Sequence, residues 1–343
     1  MPELSETPNL HAHYLHNPLL PTVLPIQQWK GTPVDKQGNF VNHEFPFNAD
    51  WRDLLKWQLE SNPHRTEKKK NAWQLPVRYE HEWLHHKADC IVWLGHSTFF
   101  MRLNGITMLT DPVFGNASLV VRRKAPFPLN PALFQNIDLV LLSHDHRDHC
   151  DTASLQLLAK QNPNARYFCG LGMQALVKSA TGSNQIQTAG WYQQFNTGNL
   201  PLQCYFVPAR HWAKRDLFDT NKRLWGAFVL QTNTTTIYFS GDTGYGNHFA
   251  DLSRIFPQID YCIIGVGAYK PEWLMYSNHI SPANALKAFR DLKAQHFIPM
   301  HYGTFDLSDE PLHEPFFYLQ EQRTNPDFKE ALHLPAAGEA IWV

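Results

Sequence analysis

Four side chains in the six-residue run HDHRDH are candidate metal donors: His144, His146, Asp148 and His149. Imidazole nitrogen and carboxylate oxygen are the donors that zinc and its first-row neighbours take. His144 and His146 are two apart, so in an extended segment they face the same side. A turn at Asp148-His149 can point both of those side chains back at the same hollow. One tetrahedral ion rarely draws four donors from a single loop, so two ions account for the run better. The ordinary alternative is a histidine-rich surface turn, in a chain with 19 histidines. The position of the run, directly behind the buried-strand pattern DLVLLS, counts against that alternative.

Two ions need more donors than this loop supplies, and three other β-type runs lead to them. VPARHW carries His211, YFSGD ends in Asp242 and FIPMH ends in His301. Singly, each reads equally well as a hydrogen-bonded polar residue at a strand end. Together with HDHRDH they complete two sites. His144, His146 and His211 would hold one ion, and Asp148, His149 and His301 the other. Asp242 would bridge them, since a carboxylate can give one oxygen to each ion. The His-rich site suits Zn2+, and the second site would accept Mn2+ or Fe as well. Asp148, Asp242 and His279 are the candidate catalytic residues; His279, in SNHISP, is placed to help a leaving oxygen depart.

These residues need a scaffold that gathers strand ends. DCIVWLGHSTFFMRL reads as strand, loop, strand; Asn104-Gly105 is a hairpin turn, and ITMLT is a strand ending at Asp111. GAFVLQTNTTTIYFSGDTG repeats the order strand, turn, strand, Asp, which points to two related sheets. IDYCIIGV and HFIPM are further strands, Asp151 is a helix N-cap, and Ser281-Pro282 opens a helix over ANALKAFRDLKA. Strands broken by helices predict an α/β sandwich over residues 88–343. Residues 1–87, rich in Pro, Asn, His and Trp, read as an N-terminal extension packed on it, with a short helix over Asn48 to Leu59.

Composition bounds the function. The net charge of −1 argues against nucleic acid as a partner, and the basic runs Lys68 to Lys70 and Arg122 to Lys124 read as solvated surface. Five scattered cysteines without a CxxC pair fit free thiols in a reducing compartment. Neither a secretory signal nor a membrane-spanning run is visible, so the expected location is cytoplasmic. Peripheral membrane contact stays open through LLPTVLPI and the apolar loop Ala125 to Phe134.

With HxHxDH, a distal His, a Gly-Asp and a final His in place, the chain resembles the metallo-β-lactamase-fold hydrolases. The words WLGHSTF, TDPVF, SHDHRDH, VPARHW, LWGAF, SGDTGYG, GVGAYKPEW, NHISPANA and MHYGTFDLSDE narrow the resemblance. They are similar to the N-acylphosphatidylethanolamine-hydrolysing phospholipase D branch and its bacterial relatives, from about Trp93 to about Pro315. The resemblance implies an αββα sandwich with a dinuclear zinc site at its edge and ligands at the seven positions named. It also implies that Asp111 orients a metal-bound histidine, a role His96 is read to share. The implied reaction is hydrolysis of a phospholipid phosphodiester, N-acylphosphatidylethanolamine giving N-acylethanolamine and phosphatidic acid, through a hydroxide between two ions. The branch often has an aromatic where this chain has Arg147 and Leu where it has Cys150. Arg147 is expected to face the substrate. The alternative is hydrolysis of a small soluble lactone, cyclic nucleotide or other phosphodiester, which the same centre would serve.

Other motifs carry less. HEWLH, His81 to His85, fits the zinc-protease pattern, but it follows Pro76 and a β-leaning VRY and has no GxxH continuation. It reads as a chance match, with His85 and His86 on the surface. HAHYLH, with His11, His13 and His16, also reads as surface. GHSTF lacks the final glycine of a nucleophile elbow, so Ser97 is not a candidate nucleophile, and SGDTGYG has no P-loop lysine.

Overall fold

Along the strand Cys90–Trp93, Ile91 and Trp93 enter one hydrophobic core while Cys90 and Val92 enter another. The same alternation separates Phe99 and Met101 from Phe100, and Leu139 and Leu141 from Val140 and Leu142. A strand buried on both faces belongs to an inner layer, with a second sheet on one side and helices on the other. The computed structural model, which describes residues 13–25, 27–42, 44 and 51–343, has that architecture.

An antiparallel pair, β1 (His13–Leu15) and β2 (Thr32–Val34), comes first. One large sheet then takes β3 (Cys90–Trp93), β4 (Phe99–Leu103), β5 (Ile106–Thr110), β6 (Leu139–Leu142), β7 (Arg166–Gly170) and β8 (Ile186–Ala189). The other takes β9 (Gln193–Gln194), β10 (Gln203–Val207), β11 (Ala227–Gln231), β12 (Thr236–Phe239), β13 (Tyr261–Gly265) and β14 (His296–Met300). The last strand, β15 (Ala340–Trp342), returns to pair with β3. The orders are β15-β3-β4-β5-β6-β7-β8 and β14-β13-β12-β11-β10-β9. In each sheet an antiparallel hairpin, β4-β5 or β11-β12, is followed by parallel strands. The repeated strand, turn, strand, Asp pattern therefore marks equivalent hairpins, with Asp111 and Asp242 beyond their second strands.

Helices cover both outer faces, which makes the layers αββα. Helix Thr152–Gln161 lays Leu155 and Leu158 on the first sheet, and Asp151 caps it by accepting from Ser154 N at 2.8 Å. On the second sheet, helix Pro282–Leu292 contributes Ala285, Phe289 and Leu292 to the core. Its cap is Ser281, as expected from Ser281-Pro282.

The N-terminal residues lean on this body. Leu24, Val34 and Phe40 belong to the main core, and Phe40 N donates to Asn221 O at 2.8 Å. Helix Trp51–Leu59 covers the later part of the expected helix; Asn48 to Asp50 and His11 lie outside the described residues. Within HEWLH only a 3-10 turn forms, Glu82–Leu84, with His81, His85 and His86 exposed. The loop Ala125 to Phe134 departs from expectation. Phe127, Leu129 and Phe134 turn inward onto the core beneath the first helical layer, so this stretch is not an open apolar face. All five cysteines are buried and unpaired. Among the described residues, no helix is long and apolar enough to cross a membrane.

Candidate metal centre

The chemistry gathers where strands of both sheets end. After β6, residues 143–151 stay irregular until helix Thr152–Gln161, and His149 N and Cys150 N both donate to His146 O, at 3.1 and 2.8 Å. That turn doubles Asp148 and His149 back beside His144. From the other sheet, β12 delivers Asp242 through Gly241, whose φ is +55°. A Cβ on Gly241 would stand 2.6 Å from the Ser143 Cβ, so glycine is what lets the ends of the two sheets touch. His96, Asp111 and His301 follow β3, β5 and β14 with φ of 54°, 36° and 65°. Left-handed backbone at residues with a Cβ costs about 1–3 kcal/mol each and is tolerated where the surroundings enforce it.

Two four-donor clusters result, beside two smaller groups, Asp111 with His144 and His149, and Asp242 with His279 and His301. His144, His146, His211 and Asp242 bring one donor atom each within 4.8 Å of one another. His96, Asp148, His149 and His301 do the same. In the first cluster His146 Nδ1 lies 2.8 Å from His144 Nε2 and 3.2 Å from His211 Nε2. Three ring nitrogens this close have the spacing of ligands around one small ion, since M–N bonds of about 2.0–2.1 Å at tetrahedral angles separate nitrogens by about 3.3 Å. Asp242 stands between the clusters. Its Oδ2 lies 3.2 Å from His149 Nε2, 3.8 Å from His211 Nε2 and 4.0 Å from His144 Nε2, while its Oδ1 lies 3.2 Å from His301 Nε2.

The opposite edges of the rings are fixed by the protein. His149 Nδ1–H donates to Asp111 Oδ2 at 2.7 Å, leaving Nε2 to face Asp242. His144 Nδ1–H donates to Ser143 Oγ at 2.9 Å, and that hydroxyl donates to Asp111 Oδ2 at 2.6 Å. His211 Nδ1–H donates to the Asn278 carbonyl at 2.9 Å. Holding the outer nitrogen in this way sets the tautomer that aims a lone pair inward.

The charges agree with a cation site. Burial pushes His144 and His211 well below the ordinary histidine range, and His146 down with them, so these rings are held in the neutral form a metal takes. Burial alone would lower His149 too, but the charges of Asp242 and Asp148 and the bond to Asp111 outweigh it and raise it well above that range. Burial would raise Asp148 and Asp242; the neighbouring His149 charge holds both well below the usual carboxylate range. Among the described residues, every ion-pair partner of Asp111, Asp148 and Asp242 is a histidine. Nε2 of His149 and His301 and Oδ1 of Asp242 are buried without a hydrogen bond. Unpartnered donors around three carboxylates with no Lys or Arg are what bound cations would satisfy.

Other expectations resolve one by one. His279 stands at the rim, half-buried, with Nδ1 3.8 Å from Asp242 Oδ2. Arg147 turns outward, largely exposed, with Asp216 3.7 Å away. The His96 side chain bonds a carboxylate, Nε2–H donating to Asp148 Oδ2 at 3.0 Å, while its carbonyl accepts from His301 N at 3.1 Å and its ring packs 4.0 Å from that of His301. Ser97 is fully buried.

Some supports were not legible. Asn42 Oδ1 accepts from His211 N at 3.1 Å, and the ring of Trp212 stands edge-on 4.8 Å from that of His146. Arg215 donates to the carbonyls of Asp145 and Cys150, at 2.9 and 2.8 Å, stapling both ends of the ligand loop. Arg223 reaches Asp145 Oδ2 at 2.8 Å. Trp212 is next to an expected ligand, which is the one signal that could have singled it out.

A family model for the beta-lactamase superfamily domain matches residues 107–302, more than half of the chain. The chain belongs to the beta-lactamase superfamily. It is a metal-dependent hydrolase of the metallo-β-lactamase fold. Within the superfamily it is 29% identical over 264 residues to N-acyl-phosphatidylethanolamine-hydrolyzing phospholipase D 1 of Caenorhabditis elegans, covering 73% of this chain and 74% of that one. It is 32% identical over 256 residues to the mitochondrial N-acyl-phosphatidylethanolamine-hydrolyzing phospholipase D of Saccharomyces cerevisiae, covering 72% of this chain and 54% of that one. Among solved structures, isothiocyanate hydrolase from Delia radicum gut bacteria superposes with a TM-score of 0.60 at 17% identity, over 74% of this chain and 99% of that one.

Proposed function

We propose that the chain is a phosphodiesterase of phospholipase D type that hydrolyses N-acylphosphatidylethanolamine or a similar phospholipid at a pair of divalent ions, Zn2+ for preference. The observation that carries the reading is the position of Asp242, with one carboxylate facing two separate sets of ring nitrogens. On this reading His144, His146 and His211 hold one ion, Asp148, His149 and His301 the other, and Asp242 spans them. The substrate class rests on the similarity to the nematode and yeast phospholipases. A cytoplasmic setting fits five buried, unpaired cysteines.

When bound, two divalent ions neutralise a phosphodiester and lower the pKa of water beside them. The protein's part is positioning. Asp111, Ser143 and the Asn278 carbonyl hold the rings, so no reorganisation is needed as charge develops. His279 is pushed down to about 4 by burial, which keeps it neutral near pH 7. From the rim it offers an N–H as a hydrogen-bond donor to the leaving oxygen.

The test is incubation with N-acylphosphatidylethanolamine in mixed micelles, with and without chelator, following N-acylethanolamine by mass spectrometry. Release that the chelator abolishes supports the reading. No release from protein holding two ions overturns the substrate class and moves it to a small soluble ester or diester.

A further inference from the structure

We propose that two loop tips beside the metal centre, Leu119-Val120 and Leu217-Phe218, form a docking surface for a lipid bilayer rich in net-anionic headgroups. The biological occupant rests on the phospholipid reading above; the surface itself rests on exposure, anchoring and charge.

Leu119 and Val120 are 96% and 89% exposed, and Leu217 and Phe218 are 79% and 87% exposed. Large apolar side chains left in water are ordinary when scattered singly. Here they come as adjacent pairs on two loops that border one centre. The first loop leaves β5 at Asp111 and the second leaves β10 at His211, so both rise from the edge that carries the donors.

Neither tip is loose at its base. In the first loop Val113 and Ala117 pack on Phe305, whose ring stands 4.9 Å from that of His96. Ser118 Oγ accepts from Val121 N at 3.0 Å, which folds the tip so that Leu119 and Val120 point away from the body. Arg123 Nη2 donates to Val113 O at 2.8 Å and closes the loop. The second loop is held by Arg215 and Arg223 on the ligand-loop residues Asp145 and Cys150. The tip that would enter lipid is thus on the same loop that staples HDHRDH.

Charge selects the partner. The first loop exposes Arg122 and Lys124 with no acid between Val113 and Lys124, and the second exposes Lys214 and Lys222 against Asp216, while Arg123, Arg215 and Arg223 are turned inward on the loop bases. The chain as a whole has a net charge of −1, so this basic excess is local. Apolar side chains set among cations match the acyl boundary and the anionic headgroups of a bilayer. A second copy would bring the same cations face to face. Acylation of the ethanolamine nitrogen removes its positive charge, so an N-acylated phospholipid is itself net anionic.

Sedimentation of the full chain with vesicles of phosphatidylcholine, or of phosphatidylcholine with phosphatidic acid, tests the surface. The expected result is co-sedimentation favouring phosphatidic acid and weakening with salt. Leu217→Ser/Phe218→Ser and Leu119→Ser/Val120→Ser should each lose at least about tenfold in partitioning. Trp342→Ser, at the strand end remote from the centre, should not. Bound metal and hydrolysis of a soluble aryl phosphodiester check that each variant is intact, and milder alanine pairs replace any serine pair that is not. The proposal is overturned if wild type stays in the supernatant, if intact tip variants sediment like wild type, or if the tips drive self-association without lipid. Tip-dependent binding without N-acylethanolamine release keeps the surface and removes the substrate reading. Release from micelles without tip-dependent vesicle binding does the reverse.

Discussion

Asp111 and His149 are joined across 2.7 Å, Oδ2 to Nδ1, with both side chains buried on different loops of the same sheet. The carboxylate does two tasks, because its Oδ2 also takes the Ser143 hydroxyl that accepts from His144. Asp111→Asn keeps the volume and turns one acceptor into a donor that faces donors. Metal content measured by plasma mass spectrometry should fall, and activity with it, by about 10- to 100-fold. Two ions and an unchanged rate would remove Asp111 from the scheme.

Among the described residues, Asp242 is the carboxylate that faces ring nitrogens of both clusters. Asp242→Asn should cost activity on every substrate alike, by at least the ~100-fold that a lost partner of a ligand can cost. A variant that keeps both ions and its rate would overturn the ligand scheme.

His279 approaches the centre without entering either four-donor cluster. In His279→Gln the loss should be confined to substrates with poor leaving groups, read from kcat across a series of leaving-group pKa. A flat profile would show a purely structural histidine.

Gly241 holds the two sheet ends in contact. Gly241→Ala places a methyl 2.6 Å from the Ser143 Cβ at a φ of +55°. Overpacking and left-handed strain together should destabilise the fold by about 1–3 kcal/mol. Metal content should fall as Asp242 is displaced, and denaturant melts beside metal analysis would separate the two effects.

Chelation should lower stability as well as activity. Ligand that binds only the native state stabilises by about 4 kcal/mol at a thousandfold excess over Kd. Dialysis against chelator should therefore drop the Tm by several degrees, and restored Zn2+ should recover it. A Tm indifferent to chelator would argue that the clusters hold no tightly bound ion.

The donor residues were legible because each has a side-chain type that metals use and each follows a β-type run. His144, His146, His211 and Asp242 do share one cluster, and Asp148, His149 and His301 share the other. What escaped the sequence was of another physical kind. The Asn278 carbonyl on His211 has no residue-type signature, since every residue has a carbonyl. Arg215 and Arg223 look like surface charge until the fold lays them on the ligand loop. The run Ala125 to Phe134 is apolar whether or not anything covers it, and here the first helical layer's core does. The bond from His96 to Asp148 joins residues far apart in the chain, which no spacing rule anticipates.

The donors divide between the two sheets. His144, His146, Asp148 and His149 leave the strand of one, while His211, Asp242 and His301 leave strands of the other, and the contact at Gly241 and Ser143 is where they meet. Ions held there would act as rivets through two plates. A half-folded chain with its sheets apart would own only fragments of each coordination sphere, so loading reports that the plates have closed. Prying them apart would first mean giving up the ions, which ties the lifetime of the folded sandwich to the rate at which its metals leave.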